Sequence, residues 1–345
     1  MRRHTYFVLL ALLLALAACG QPAAPQPTAA PAEAPQPTAA PAEAPQPTAA
    51  PTEPTVALAE PTVAPEEAAV EVTDSAGRTV SVAAPPARIV SLAPSTTEIL
   101  FALGVGPQVV AVDDFSNFPA EEVDQLPKIG SFGTINAEQI VALEPDLVLA
   151  AGTTAPEIVQ QLSDLGLTVV VAGAPEATVE SIFSDIELVG QATGQSERAA
   201  ELTAAMRARF AEVTGLVAQA SERPTVFWEL DATDPAKPYT VGPGSFIDEL
   251  IGLAGGTNIF GEGDNPYPQV SAEQIVAADP QVIILADAQY GVAVESVGQR
   301  PGWDVISAVR EGRVYPIDSD LVSRPGPRVI EGLEAIARLL HPDLF

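Results

Sequence analysis

Basic, aromatic and metal-binding side chains are all scarce in this 345-residue chain. Sixteen lysines and arginines face 45 acids, a formal charge of −29. Such an excess excludes nucleic acid and anionic membrane surfaces as natural partners. The acids are scattered and not massed in one block, as expected of a charge that serves solubility. Only two histidines and one cysteine are present. His4 stands in the N-terminal segment and His341 near the C-terminus, so the several His or Cys ligands of a bare zinc or manganese receptor are missing. A lone cysteine allows no disulfide within the monomer. No GxSxG, GxxxxGK[ST], HExxH or GxGxxG element occurs, and His341 has no evident triad partners. These absences argue against an enzyme. The abundant carboxylates leave only a glycosidase-like acid pair open on counting alone.

The longest apolar run, Tyr6 to Ala18, is too short to span a bilayer comfortably and follows Arg2 and Arg3. It ends in Leu16-Ala17-Ala18-Cys19, which resembles the bacterial lipobox. Residues 1–19 are therefore expected to be a lipoprotein signal peptide, with Cys19 lipidated as the new N-terminus and the chain tethered to the membrane without a transmembrane helix. Residues 20–69 form a Pro/Ala-rich linker: APQPTAAPAE fills 24–33 and 34–43, and APQPTAAPTE fills 44–53. Almost nothing in it can be buried, so it should be disordered and extended, with a reach of roughly 40 to 150 Å.

The folded remainder is organised by a duplication. Ala-Glu-Gln-Ile-Val-Ala occurs at 137–142 and again at 272–277, and the likeness extends from Asn136 to Ala150 and from Ser271 to Leu285. Each copy reads as a capped helix, an acidic-Pro break and a strand. One match at so long a period signals two related lobes and not a solenoid. Pro94-Ser95 through Gly104 is echoed by Gly244-Ser245 through Gly255, with Glu249 answering Glu98. Ser95 and Glu98 have capping-box spacing. A hairpin is expected around Asp74–Gly77, followed by alternating strands and helices. Between the lobes, a helix from Ser196 to about Ala220 buries Ala199, Leu202, Met206, Phe210, Val213 and Val217 at steps of three or four. A further helix is expected over 303–309, with Trp303 in its core. The expected fold is α/β: two Rossmann-like lobes with mainly parallel sheets, at 70–194 and 223–345, joined by one long backbone helix within 195–222. Two lobes enclose one cleft, where small ligands usually bind.

This plan resembles the helical-backbone class of ABC-importer solute-binding proteins. RIVSLAPSTTEILFALG, GTINAEQIVALEPDLVLA, YPQVSAEQIVAADPQVIIL and SDLVSRPGPRVIEGL are most similar to its cobalamin-binding branch, with siderophore and haem binders close by. The resemblance covers about residues 70–345. It implies a monomeric receptor that captures cobalamin, or else haem or a ferric siderophore, as cargo and not as a cofactor, and delivers it to a permease dimer. A purely structural surface lipoprotein is the alternative from another class.

Glu138 and Glu273 each take the second position of a duplicated helix, where a carboxylate favours the helix dipole by ~0.3–1 kcal/mol. Asn136 with Gln139, and Ser271 with Gln274, have capping-box spacing, so capping alone accounts for the pattern. The resemblance adds docking of both glutamates onto permease arginines. Phe115, Phe118, Phe132 and Tyr267 lie in loops before the duplicated helices. Phe132 and Tyr267 each stand six residues ahead of their glutamate, an equivalence that should make them face each other across the cleft. The resemblance makes these four an aromatic lining, with local packing as the alternative. Asp320 to Arg324 (DLVSR) matches a ligand-contacting segment of the cobalamin branch, although Leu321 and Val322 replace larger aromatics of some relatives. Arg324 and Arg328 suit ligand anions such as haem propionates or siderophore groups, or else are surface ion pairs without a function.

Overall fold

Alternation of valine with polar residues makes the first two described segments pair. Ala69–Thr73 (β1) and Thr79–Ala83 (β2) form an antiparallel hairpin in which Val72 lies opposite Val80. The turn is held by Asp74, whose carboxylate accepts the Ala76 amide at 3.1 Å and the Arg78 amide at 2.9 Å. The computed structural model describes residues 69–345, apart from 84, 175, 176 and the side chain of Phe132. The expected signal peptide, Cys19 and the linker up to residue 68 lie outside the described residues.

The first lobe then runs Ile89–Ser91 (β3), Pro94–Ala102 (α1), Val109–Val112 (β4), Ala120–Val123 (α2), Ala137–Ala142 (α3), Leu147–Ala150 (β5), Pro156–Asp164 (α4) and Val169–Val171 (β6). Two helices follow, Val179–Ala192 (α5) and Ser196–Val217 (α6). The second lobe comprises Thr225–Glu229 (β7), Phe246–Leu253 (α7), Thr257–Asn258 (β8), Ala272–Ala278 (α8), Val282–Leu285 (β9), Val294–Val297 (α9), Ser307–Arg310 (α10), Val314–Pro316 (β10), Ser319–Val322 (α11) and Val329–Leu340 (α12).

The duplication extends to the topology. The first sheet is ordered β4-β3-β5-β6 and the second β8-β7-β9-β10, parallel throughout, so the lobes match strand for strand. Continuous apolar runs such as LVLA and VIIL fit strands covered on both faces, and β5 and β9 are buried along their whole length.

The lobes share one apolar core. It passes from Ile99 and Leu149 through Phe183, Met206 and Phe210 to Trp228, Ile284 and Leu333, and a smaller cluster lies against the other face of each sheet. The connecting α6 spans 22 residues, about 33 Å. It ends at Val217, one turn short of its expected end, and packs against both α5 and α12. Phe183 of α5 meets Phe210 of α6 edge to face at 5.7 Å.

The helix expected over 303–309 is broken: a 3₁₀ turn at Trp303–Val305 is followed by α10. Asp279 causes the break, because its carboxylate takes both the amide (2.7 Å) and the hydroxyl (2.9 Å) of Ser307 and starts a new helix there. Trp303 is fully buried and packs on Phe227.

Contact between α5 and α6 depends on Gly190, where a Cβ would come within 2.4 Å of the Ala199 Cβ. Gly190→Ala should therefore cost about 1–3 kcal/mol in forced separation, less the roughly 1 kcal/mol alanine contributes to helix propensity. A lowered melting temperature in thermal denaturation, partly restored by adding Ala199→Gly, is expected; an unchanged or raised melting point would show that the helices are not so closely packed.

Candidate functional site

A cavity of about 410 Å³ opens where the carboxyl ends of the two sheets face each other. In open parallel sheets this is where ligands bind, because the loops that leave the strands converge there. The first lobe contributes Leu92–Ser95 after β3, Asp113 and Phe115 after β4, Ala151–Thr154 after β5 and Ala172–Ala174 after β6. The second contributes Leu230 after β7, Ala286 and Tyr290 after β9, and residues of the 319–325 segment. The wall is mostly apolar, with a few acids and hydroxyls.

Two of those acids are buried. Asp113 accepts the Phe115 amide at 2.9 Å and the Ser116 hydroxyl, and Asp185 of α5 accepts the Ser75 hydroxyl at 2.8 Å. Burial pushes both carboxyls above their usual range. The hairpin turn thus supports one acid of the cavity floor.

A polar clasp ties the lobes together beside the cavity. Arg328 grips Glu98 of α1 through two bonds of 3.0 and 2.6 Å. Arg324 reaches the same carboxylate at 3.3 Å, Asn117 at 2.7 Å, the Phe115 carbonyl at 3.2 Å and Asp320 at 2.8 Å. Asn117 in turn donates to Asp320 at 2.9 Å. Two acids and two guanidiniums therefore cancel, and Glu98 is only 4% exposed. This corrects the capping-box expectation. Ala93 is the N-cap, without a side-chain bond, and Glu98 lies one turn inside α1, turned toward the opposite lobe. Its repeat counterpart Glu249 also crosses between lobes, accepting the Val179 amide at the start of α5 at 2.9 Å.

The sequence-derived candidates separate into groups. Phe115, Asp320 and Arg324 line the cavity, Phe115 being 52% exposed. Phe118 is exposed outside the lining, with Arg328 stacked 4.0 Å over its ring. Tyr267 is not among the residues that line this cavity. Its loop is zipped onto the 238–242 segment, through Gly242 to Pro266 (2.9 Å) and Thr240 to Pro268 (3.0 Å), and burial pushes its phenol pKa up. The Phe132 side chain lies outside the described residues, although neighbouring Ser131 lines the cavity.

Glu138 and Glu273 are exposed at the starts of α3 and α8, one on each lobe. Asn136 caps α3 through the Gln139 amide at 3.0 Å. Ser271 and Gln274 form the full reciprocal box on α8. The helix-start amide and the Ser271 hydroxyl hold the Glu273 carboxyl below its usual range. Asp113, Asp185 and Tyr290 are lining residues that sequence reasoning missed; for Tyr290, its place directly after β9, at the carboxyl edge of a parallel sheet, is the signal that could have found it. Among the described residues no group of three or more His, Cys, Asp or Glu is placed to hold a metal ion. Glu229 and Arg300 form a bidentate pair sealed beneath the second lobe's wall, with Arg300 4.6 Å from the Trp303 ring.

Removing one partner from a buried ion cluster strands the others. Glu98→Gln should cost on the order of 3 kcal/mol in urea unfolding, and adding Arg328→Met should recover part of that loss. Strict additivity of the two substitutions would contradict the coupling.

Comparison with known proteins places this architecture. A family model described as periplasmic binding protein matches residues 89–321. The ABC transporter substrate-binding lipoprotein YvrC of Bacillus subtilis is 34% identical over 281 residues, covering 80% of this chain and 87% of that one. A vitamin B12-binding protein of Vibrio cholerae is 32% identical over 261 residues, covering 74% and 90%. Among solved structures, the periplasmic heme-binding protein RhuT from Roseiflexus sp. RS-1 superposes with a TM-score of 0.68 at 29% identity, covering 75% of this chain and 99% of that one. The duplicated lobes, the cavity they enclose and these matches agree: the chain belongs to the periplasmic binding protein family, as a solute-binding component of an ABC transporter and not an enzyme.

Proposed function

We propose that the chain captures cobalamin or a related corrinoid and hands it to a permease while anchored outside the cytoplasmic membrane by lipid on Cys19. The single observation that carries the ligand choice is the charge of the cavity wall. Among the described residues, Asp113, Asp185 and Asp320 line it against one cation, Arg324, and that guanidinium is already committed to Glu98, Asp320 and Asn117. A ligand bearing carboxylates would have to displace these partners and would meet buried acids. A large uncharged ring system fringed with amide N–H donors suits apolar walls with carboxylate acceptors. Similarity to vitamin B12-binding proteins supports the same choice. The likeness to a heme-binding protein keeps haem, or a ferric siderophore, as the second reading.

Isothermal titration with cyanocobalamin, haemin and a ferric hydroxamate tests this reading. Submicromolar binding of cyanocobalamin, well ahead of the other two, is expected; preference for haemin would replace the ligand, and silence with all three would remove this ligand class.

Delivery would use the exposed glutamates at the starts of the duplicated helices, one per lobe, as befits a two-fold partner. With Glu138→Lys and Glu273→Lys together, uptake into cells or permease vesicles should fall to background while ligand affinity stays unchanged. Full transport by this double variant would rule out docking through these acids.

A further inference from the structure

We propose that Tyr290 is a specificity-determining residue of the cleft, forming the second lobe's aromatic wall for a flat ligand that Phe115 bounds from the first lobe. The inference rests on the ligand reading above and adds to it the residue that grips the ring face.

The duplicated frame makes the assignment possible, because equivalent strand ends can be compared directly. After β5 the chain reads Ala151-Gly152-Thr153-Thr154, a turn of small residues. Gly152 is pressed so closely on the β6 loop that a Cβ would come within 2.4 Å of the Gly173 carbonyl oxygen. The Thr154 hydroxyl ties the turn down by accepting the Ala151 amide at 3.2 Å. The first lobe thus makes a low floor. After β9, in the same topological place, the chain reads Ala286-Asp287-Ala288-Gln289-Tyr290 and projects a large ring.

The turn beneath that ring is fixed from several sides. Asp287 accepts the Ala232 amide at 2.8 Å, and the Tyr290 amide donates to the Asp287 carbonyl at 2.9 Å. Gln289 donates to the Ser319 hydroxyl of α11, and Gly291, at φ +107°, closes the turn. Yet the Tyr290 side chain, which lines the cavity, belongs to a residue 76% exposed. A turn fixed in this way places an aromatic residue at the cavity lining with its backbone already ordered, so that stacking would cost mainly side-chain rotation.

Wild type, Tyr290→Ala, Tyr290→Phe and Tyr239→Ala are to be compared by calorimetry with cyanocobalamin, haemin and a ferric hydroxamate, with thermal denaturation of each variant. Tyr239 is the control: an exposed tyrosine of the same lobe outside the lining. Tyr290→Ala should weaken binding of the preferred probe roughly tenfold, Tyr290→Phe should stay within about twofold, and Tyr239→Ala should not matter, all with unchanged melting temperatures. Wild-type affinity in Tyr290→Ala overturns the inference while leaving the ligand reading intact. Equal loss in the alanine and phenylalanine variants overturns stacking, because the hydroxyl would then be what counts. A wild type that binds none of the probes overturns the ligand reading and this inference together.

Discussion

One buried carboxylate governs how the two halves of this protein meet. Glu98 is almost fully removed from water and held by two guanidiniums that belong to the other lobe. Such a cluster is tolerable only if the geometry is good and every partner is engaged, because the desolvation of each ion is expensive. Here that condition is met through residues of both lobes at once: Asn117 and the Phe115 carbonyl from the first, Asp320 from the second. The interface is therefore specified by charge placement, while the apolar core shared through α5, α6 and α12 supplies bulk cohesion.

The same cluster shapes the binding surface. By neutralising Arg324 it leaves the cavity wall with acids and apolar groups, and so sets which ligand charges fit. It also brings the loop after β4 against the segment around α11, which positions Phe115 at the mouth. Glu249, related to Glu98 by the duplication, crosses in the opposite direction to the positive end of α5. Equivalent glutamates of the two halves thus serve the interface in different ways, one against arginines and one against a helix N-terminus. Lobes joined in this way, with a continuous helix between them, are suited to small rocking motions and not to wide hinge opening.

Much of this was legible in the amino-acid order. The repeated AEQIVA unit implied two lobes, and the matching sheet orders bear that out. Helices with strong local signals, such as α8 with its Ser271–Gln274 box, fall where their caps predict. The failures share a physical cause, which is that local spacing competes with distant partners. Ser95 and Glu98 satisfy a capping rule, yet Glu98 binds Arg328 across 230 positions of chain. The break before Ser307 depends on Asp279, 28 residues away. The Tyr267 loop is likewise held by a distant partner, the 238–242 segment, which its place in the repeat does not announce. Tyr290 carries no periodic or motif signal and becomes meaningful only when its strand end is seen beside that of β5.

The central claim, that the lobes are yoked into one frame before any ligand arrives, is tested most directly by measuring their separation. Spin labels at Glu157→Cys on α4 and Glu311→Cys beside α10, both exposed positions, in a Cys19→Ser background would report it by pulsed electron resonance. A single narrow distance distribution that scarcely moves when cyanocobalamin is added is expected. A broad or two-peaked distribution that collapses on binding would contradict the claim.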